Sequence, residues 1–218
     1  MKHILLILVF AFSVTAQAVE FEINHHVYGY DMTNSKTKPD SGESTETKTT
    51  TLHSYNTNLE LGIHVDRFTF YAYPLNPGSS LALSYNLDPS LEIGGILGHE
   101  SSTTEDENDT KSEVTSTTIG VFIEQTFRLD PRKNLELGAL VSHNQSEGKI
   151  TSDAVTSKSN STGQRVFIDA DLVFKLYRHF NYICGIKYQI TSSSNKELDQ
   201  KTDTSTLSLK LAAFRYRF

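Results

Sequence analysis

Two clusters along the chain combine residue types that could act in hydrolysis. Asp169 and Asp171 lie two positions apart, which places both carboxylates on one face of a strand, as a paired acid and base would require. Ser142-His143-x-x-Ser146 places a candidate base beside two candidate nucleophiles. Both clusters also have a structural interpretation, because enclosed carboxylates usually pair with Lys or Arg, and a histidine at a serine-rich strand end is usually solvated. We therefore predict no catalytic residue in either cluster.

The sequence predicts no metal ion and no cofactor. His25 and His26 are adjacent, and adjacent strand residues point to opposite faces, so the two rings cannot share a ligand. Cys184 is the only cysteine, which excludes an internal disulfide, a CxxC metal knuckle and a thioredoxin-type motif.

The elements that carry these residues have the two-residue period of β-strands. Apolar side chains occupy alternate positions in residues 119–127, 135–141 and 168–176, and polar or charged side chains occupy most positions between them. Each strand therefore has one apolar face and one polar face. Helical periodicity is scarce.

Composition excludes two broad classes of protein. The chain has 218 residues and a formal charge of -6, with a sequence pI near 5.7 and no basic stripe, which argues against nucleic-acid binding. Mean hydropathy is -0.36, and the only long apolar run is N-terminal, which excludes a bundle of membrane helices.

The N-terminus has the pattern of a secretory signal. Lys2 precedes an apolar run over residues 4–14, and Ala16-Gln17-Ala18 supplies a cleavage site. We expect residues 1–18 to be a cleaved signal peptide. Residues 19–218 then form a single exported domain.

Connections between the predicted strands alternate between short and long. The short ones are turns such as Asp88-Pro89 and residues 130–133, whereas the long ones are rich in Ser, Thr and charged residues. Alternation of this kind is typical of a transmembrane barrel with tight periplasmic turns and long outer loops. The predicted long loops cover residues 34–50, 101–113, 148–163 and 195–203.

The fold prediction is all-β, an antiparallel up-and-down transmembrane β-barrel of ten strands, with eight as the alternative. Residues 51–100 decide the number: a turn at Asp66-Arg67 separates two short strands, whereas the other placement puts the turn at Thr57-Asn58 and runs one strand over 59–73. The predicted strands cover residues 19–33, 50–63, 67–73, 80–87, 91–100, 114–129, 134–147, 164–177, 182–194 and 204–218.

The last residues carry the most specific motif. Phe214, Tyr216 and Phe218 alternate with arginines and end the chain. Here the sequence resembles the small outer-membrane β-barrels of Gram-negative bacteria, of the OmpA, OmpX and OmpW type. The resemblance implies that the three aromatic residues are an assembly signal read by the barrel-assembly machinery. The leucines of residues 207–211 lie in the opposite phase, and a one-residue bulge near Ala212-Ala213 would bring both sets to the lipid-facing side.

The polar strand faces predict a charged lumen. A barrel of this size is nearly filled by its own side chains, so enclosed charges should pair into a salt-bridged plug, with Glu92 and Glu136 opposite Arg128 and Lys175. The predicted lumenal charge cluster comprises Glu92, Glu124, Arg128, Glu136, Asp169, Asp171, Lys175 and Lys187.

The expected function is that of a non-enzymatic integral outer-membrane protein with a structural or surface-interaction role, or a narrow porin-like role. Its expected partners are outer-membrane lipid, lipopolysaccharide and the assembly machinery, with no nucleic acid. The alternative is a barrel enzyme, a hydrolase or acyltransferase, acting on lipid or peptide at the outer rim. The clusters named at the start do not match the fuller patterns of omptin proteases or lipid A deacylases.

Overall fold

A computed structural model describes residues 19–39, 42–53, 59–73, 79–105, 111–152, 155–195, 197 and 199–218. The predicted signal peptide, residues 1–18, lies outside the described residues. The described part is built from strands: β1 Val19–Pro39, β2 Thr45–His53, β3 Leu59–Val65, β4 Phe68–Tyr73, β5 Ser79–Asp88, β6 Leu91–Glu105, β7 Lys111–Asp130, β8 Lys133–Ser152, β9 Val155–Tyr177, β10 Phe180–Asn195 and β11 Gln200–Arg217.

The strands close into an antiparallel barrel. Each of β3 to β10 pairs with the next strand along the chain, and β11 returns to pair with β1. β3 pairs with the first part of β1 and β2 with the later part, so β2 and β3 share one position in the wall. Over the described residues the barrel therefore has ten strand positions, which confirms the ten-stranded prediction and excludes eight.

The turn between β3 and β4 settles the uncertain region. Asp66 has a positive φ of 56° and forms the turn with Arg67. A continuous strand over residues 59–73 is therefore wrong, because a left-handed residue interrupts the extended backbone there. This turn and those at Pro89-Ser90, Pro131-Arg132 and Arg178-His179 are tight, as predicted.

The prediction of long outer loops is largely wrong. Strands β1, β2 and β6 to β11 run through most of those segments. We call the parts of these strands that extend beyond the apolar exterior the collar. The collar comprises residues 33–39, 45–53, 99–105, 111–118, 142–152, 155–165, 191–195 and 200–206. Threonine favours extended backbone, and pairs of hydroxyls across β1 and β11 are 3.0 to 3.2 Å apart at Thr33–Thr206, Ser35–Thr204 and Thr37–Thr202. The polar composition of these segments therefore led to a loop prediction, although the segments form solvated strands.

Large apolar side chains cover the outside of the barrel below the collar. Val121 is 66% exposed, and the same outward phase exposes other aliphatic residues on successive strands, including Leu81, Leu97, Ile119, Ile123, Val141, Val166, Ile168, Ile186, Ile190 and Leu211. We call this band the apolar belt. No helix among the described residues is long and apolar enough to cross a membrane.

Aromatic side chains concentrate at the end of the belt that carries the chain's C-terminus. Phe218 stacks on Phe21 with ring centroids 5.8 Å apart, which joins the last residue to β1. Phe180 stacks on Phe214 at 5.4 Å, and Phe68 packs edge-on against Tyr85. The belt therefore ends in an aromatic rim at the side of the tight turns.

A bulge in β11 brings its two apolar series to one face. Ile183 pairs with Ala213 and Gly185 with Lys210, so two residues of β11, Leu211 and Ala212, lie opposite one residue of β10. Lys210 and Arg215 both point into the lumen although one is even and the other odd. The bulge predicted from the sequence is thereby confirmed.

Candidate functional site

The barrel encloses a chamber of about 1010 Å³. Its lining includes the turn residues Asp66, Ser90 and Arg178 and also Phe218, so it lies at the aromatic-rimmed end. Among the described lining residues, nine carboxyl side chains face five Arg or Lys side chains. The chamber is therefore acidic and larger than the filled lumen that the strand count predicted.

Arg215 is the centre of the ion pairing in the chamber. It reaches from β11 to β8, where its guanidinium donates to both carboxylate oxygens of Glu136 at 2.8 and 3.0 Å. Its Nε donates to Asn24 Oδ1 at 3.0 Å, and Nε lies 3.5 Å from Glu22 Oε1. A bidentate pair of this kind fixes both position and orientation of the two groups.

Glu22 is the partner of the second terminal arginine. Arg217 Nε donates to Glu22 Oε2 at 2.9 Å, and Asn24 Nδ2 donates to Glu22 Oε1 at 2.9 Å and to Glu60 Oε1 at 2.6 Å. His64 Nε2 lies 3.4 Å from Glu22 Oε2. We call Glu22, Asn24, Glu60, Glu136, Arg215 and Arg217 the seam network, because it joins the first and last strands across the closure of the barrel.

Four apolar side chains on the adjacent strands β6 to β9 form an apolar layer on the collar side of the chamber. Ile96, Phe122, Leu140 and Phe167 are the apolar side chains at that level of the lining. A Cβ at Gly94 would lie 2.4 Å from the ring of Phe122, so only glycine leaves room for the ring to lie against the wall. Lys187 Nζ on the neighbouring strand β10 lies 4.0 Å from the centre of the Phe167 ring.

The predicted lumenal charges fall into three groups. Glu92, Glu124, Glu136, Asp169 and Lys175 line the chamber. Asp171 and Lys187 also face inward but lie outside its lining: Asp171 is buried in an ion pair with Lys210, and Lys187 covers Phe167. Arg128 is exposed near the end of β7 and is not among the lining residues.

The predicted pairing within that cluster is different in the structure. Glu136 pairs with Arg215, and Glu92 accepts a hydrogen bond from the hydroxyl of Tyr71 at 3.1 Å. Arg128 has the inward phase but lies four residues beyond Glu124 towards the rim, where it is exposed. The strand phase predicts whether a side chain faces the lumen or the exterior. It does not predict how far along the barrel axis the side chain lies.

The sequence prediction omitted Glu22, Lys210, Arg215 and Arg217. The terminal motif predicts a role for its aromatic residues and none for the two arginines between them. Their signal was their alternation: if Phe214, Tyr216 and Phe218 face lipid, Arg215 and Arg217 must face the lumen. The inward direction of Lys210 could be predicted only if the position of the bulge was also known.

The hydrolytic candidates are not assembled into a catalytic group. Ser142 is buried and points inward, whereas His143 is exposed on the opposite face of β8. Ser146 donates a hydrogen bond to Ser116 at 3.0 Å. Asp169 and Asp171 share a face, but Asp171 is held by Lys210. Within the described part of the chain, no group of three His, Cys, Asp or Glu side chains could hold a metal ion.

The fold defines a closed, ten-stranded antiparallel β-barrel with an apolar exterior and a charged interior. No protein-family model and no curated protein matches the sequence. Among solved structures, Ail, the attachment invasion locus protein of Yersinia pestis, is 15% identical, with 91% of this chain and 98% of that chain covered and a TM-score of 0.39. Neisserial surface protein A is 16% identical, with 91% and 97% covered and a TM-score of 0.38.

The outer membrane protease OmpT from Escherichia coli is 7% identical to this chain. The comparison covers 94% of this chain and 99% of that chain, with a TM-score of 0.47. These similarities concern the barrel fold and say nothing about what this chain does.

Proposed function

We propose that the protein is an integral barrel of the bacterial outer membrane, exported through a cleaved signal peptide. The apolar belt carries this proposal. A continuous band of exposed aliphatic side chains would be unstable in water, whereas a barrel whose strands are paired all round at the level of this band can present it to lipid. The aromatic rim at one end is the girdle expected where a barrel meets the membrane surface.

The collar supports a structural or surface-interaction role. Termini and tight turns of bacterial barrels face the periplasm, which directs the collar outward from the cell. Its outer face carries Ser, Thr, Lys and Glu side chains on paired strands, and paired strands form a firmer platform than polar loops. Phe214, Tyr216 and Phe218 then serve as the signal for the assembly machinery.

The lumen supports a closed barrel. The seam network ties β1, β3, β8 and β11 together, and the apolar layer lies between the chamber and the collar. A narrow pore is the second candidate, favoured by the size of the chamber. No catalytic role is proposed, because the candidate nucleophile and base lie on opposite faces of β8.

Membrane insertion and orientation are tested with single cysteines in a Cys184→Ser background. Thr115→Cys lies on the outer face of the collar, and Arg178→Cys lies at a turn beyond the aromatic rim. We expect an impermeant maleimide to label Thr115→Cys on intact cells and Arg178→Cys only after lysis. Recovery of residues 19–218 as a soluble monomer, or the reverse labelling, would contradict the proposal.

A further inference from the structure

A groove of about 260 Å³ lies on the outer surface where β10, β11, β1 and β2 run side by side. Cross-strand register places its side chains in rows. Leu207 lies opposite both Tyr188 and Met32 and forms an apolar row at the upper edge of the belt. Asn34 lies opposite both Ser205 and Lys48 in the row above. Because Asn34 and Ser205 are short, the surface between the apolar row and Lys48 is concave.

Three more lysines stand above this groove on the same outer face. Lys36 lies between Glu46 and Asp203, and Lys38 lies directly opposite Lys201 on the neighbouring strand. Two like charges in directly opposed positions destabilise a sheet. An anion held between Lys38 and Lys201 would relieve this repulsion.

The nearby carboxylates do not neutralise the lysines. Lys48 Nζ lies 3.4 Å from Glu46, and Lys201 Nζ lies 3.4 Å from Asp203, but at least half of each of these four side chains is exposed. Exposed pairs of this kind contribute little. With Lys36 and Lys38, these rows contain four lysines and two carboxylates.

We propose that the groove binds the phosphorylated headgroup of an outer-leaflet glycolipid, a lipopolysaccharide, with one acyl chain along Met32, Leu207 and Tyr188. Met32 and Tyr188 are 39% and 41% exposed, so an acyl chain can cover them. Lysines just above a lipid-facing surface lie at the height of the headgroups and attract their phosphates. The inference rests on the outer-membrane location proposed above.

The corresponding positions elsewhere on the barrel differ. Going up from the belt, Thr117 follows Ile119 on β7, His143 follows Val141 on β8, and Gln164 follows Val166 on β9. Lys149 and Lys158 are also directly opposed higher on β8 and β9, but these two strands contribute no residue to the groove. The charge and the groove therefore coincide on the face formed by β10, β11, β1 and β2.

The test uses bisphosphorylated lipid A and the refolded chain in detergent micelles, with bound lipid counted by native mass spectrometry. Each lysine near a lipid surface is worth about fivefold in affinity. We expect Lys36→Gln/Lys48→Gln to bind roughly 30-fold more weakly than the unaltered protein. Lys149→Gln/Lys158→Gln removes the same charge on β8 and β9 and should leave the affinity unchanged.

The inference would be overturned by equal affinity in the groove variant, by an equal loss in the control variant, or by binding of dephosphorylated lipid A as tight as that of the bisphosphorylated form. Equally tight binding of the sugar bisphosphate without acyl chains would also overturn it, by showing a plain anion site. A heat-shifted band on gels checks the fold of each variant. A protein that inserts without selecting phosphate contradicts this inference alone, whereas failure to insert contradicts the proposed function as well.

Discussion

Arg215 occupies a position where one side chain joins three strands. It contacts Glu136 on β8 and both Glu22 and Asn24 on β1, and its side chain is only 16% exposed. Water cannot replace these contacts at little cost, because Glu22 and Glu136 are buried. Removal of the guanidinium would leave Glu136 enclosed without its ion-pair partner and Glu22 with Arg217 alone.

Arg215→Met should therefore lower the free energy of unfolding by about 3 to 5 kcal/mol, the usual cost of breaking a buried ion pair. Arg128→Met removes the same charge at the exposed rim and should change it by about 0.5 kcal/mol or less. Urea titration in lipid vesicles measures both. Equal effects would show that the seam network does not stabilise the barrel.

Two aspartates at the tight turns give the stability of the protein a predictable dependence on pH. Hydrogen bonds from the hydroxyl and the backbone N–H of Ser90 lower the pKa of Asp88 below its ordinary value of 3.8. The backbone N–H of Arg132 similarly lowers the pKa of Asp130. Since the folded-state values lie below the unfolded ones, the stabilisation is present above the ordinary carboxyl pKa and is lost as pH falls through the lowered pKa.

Ser90→Ala should raise the pKa of Asp88, because it removes the hydroxyl donor, and should leave that of Asp130 unchanged. Titration of the carboxyl carbons by NMR in micelles follows both groups in one sample. A parallel shift of the two values would point to a general change in the protein instead of a local hydrogen bond.

In β11 one extra residue determines which side chains face the lumen and which face the exterior. With Ala212 as the extra residue of the bulge, Lys210 and Arg215 face the lumen, and Leu211 and Phe214 face outward. Deleting Ala212 restores simple alternation with the same residues on each face. The deletion should therefore still give a heat-shifted, folded barrel.

Deleting Ser208 from the regular part of β11 is the matched control. It shifts the residues on one side of the deletion by one position, which turns an apolar series inward. We expect this variant to lose the heat-shifted band. If both deletions abolished folding, the extra residue would be required for closure against β1, where the register also shifts near Val27.

Sequence periodicity predicted the strands of this barrel well and their upper ends poorly. Alternation of large apolar residues placed β6 to β10 because lipid contact imposes a strict period of two. In the collar both faces are polar, so residues such as Thr33 and Ser35 carry no amphipathic signal. The partners in the seam network were likewise not predictable, since contact across a lumen depends on strand tilt and depth.

The whole molecule depends on the closure between β1 and β11. Phe218 stacks on Phe21 and exchanges backbone hydrogen bonds with it at 2.8 and 2.9 Å, so the last side chain lies at the seam. Phe218→Asp should reduce insertion into the outer membrane far more than Ser193→Asp in the collar. Quantitative blotting of membrane fractions compares them. Equal amounts of the two variants in the membrane would show that Phe218 does not contribute to assembly.

Conduction through the barrel depends on the apolar layer. A constriction lined by apolar side chains can stop ions by excluding water even where the adjoining chamber is wide and charged. Phe122 and Phe167 contribute the largest rings of this layer. The unaltered protein should therefore give no steady conductance in planar bilayers, and Phe122→Ala/Phe167→Ala should open a path from the chamber to the collar.

Phe127→Ala/Phe174→Ala removes two rings from the outward face of the same strands β7 and β9 and should stay silent. Single-channel recording distinguishes the cases. Steady conductance of the unaltered protein would favour the narrow pore over the closed barrel. If Phe122→Ala/Phe167→Ala also gave no conductance, the barrier to ions would be the ion pairs of the seam network and not the apolar layer. Arg215 spans the chamber below that layer.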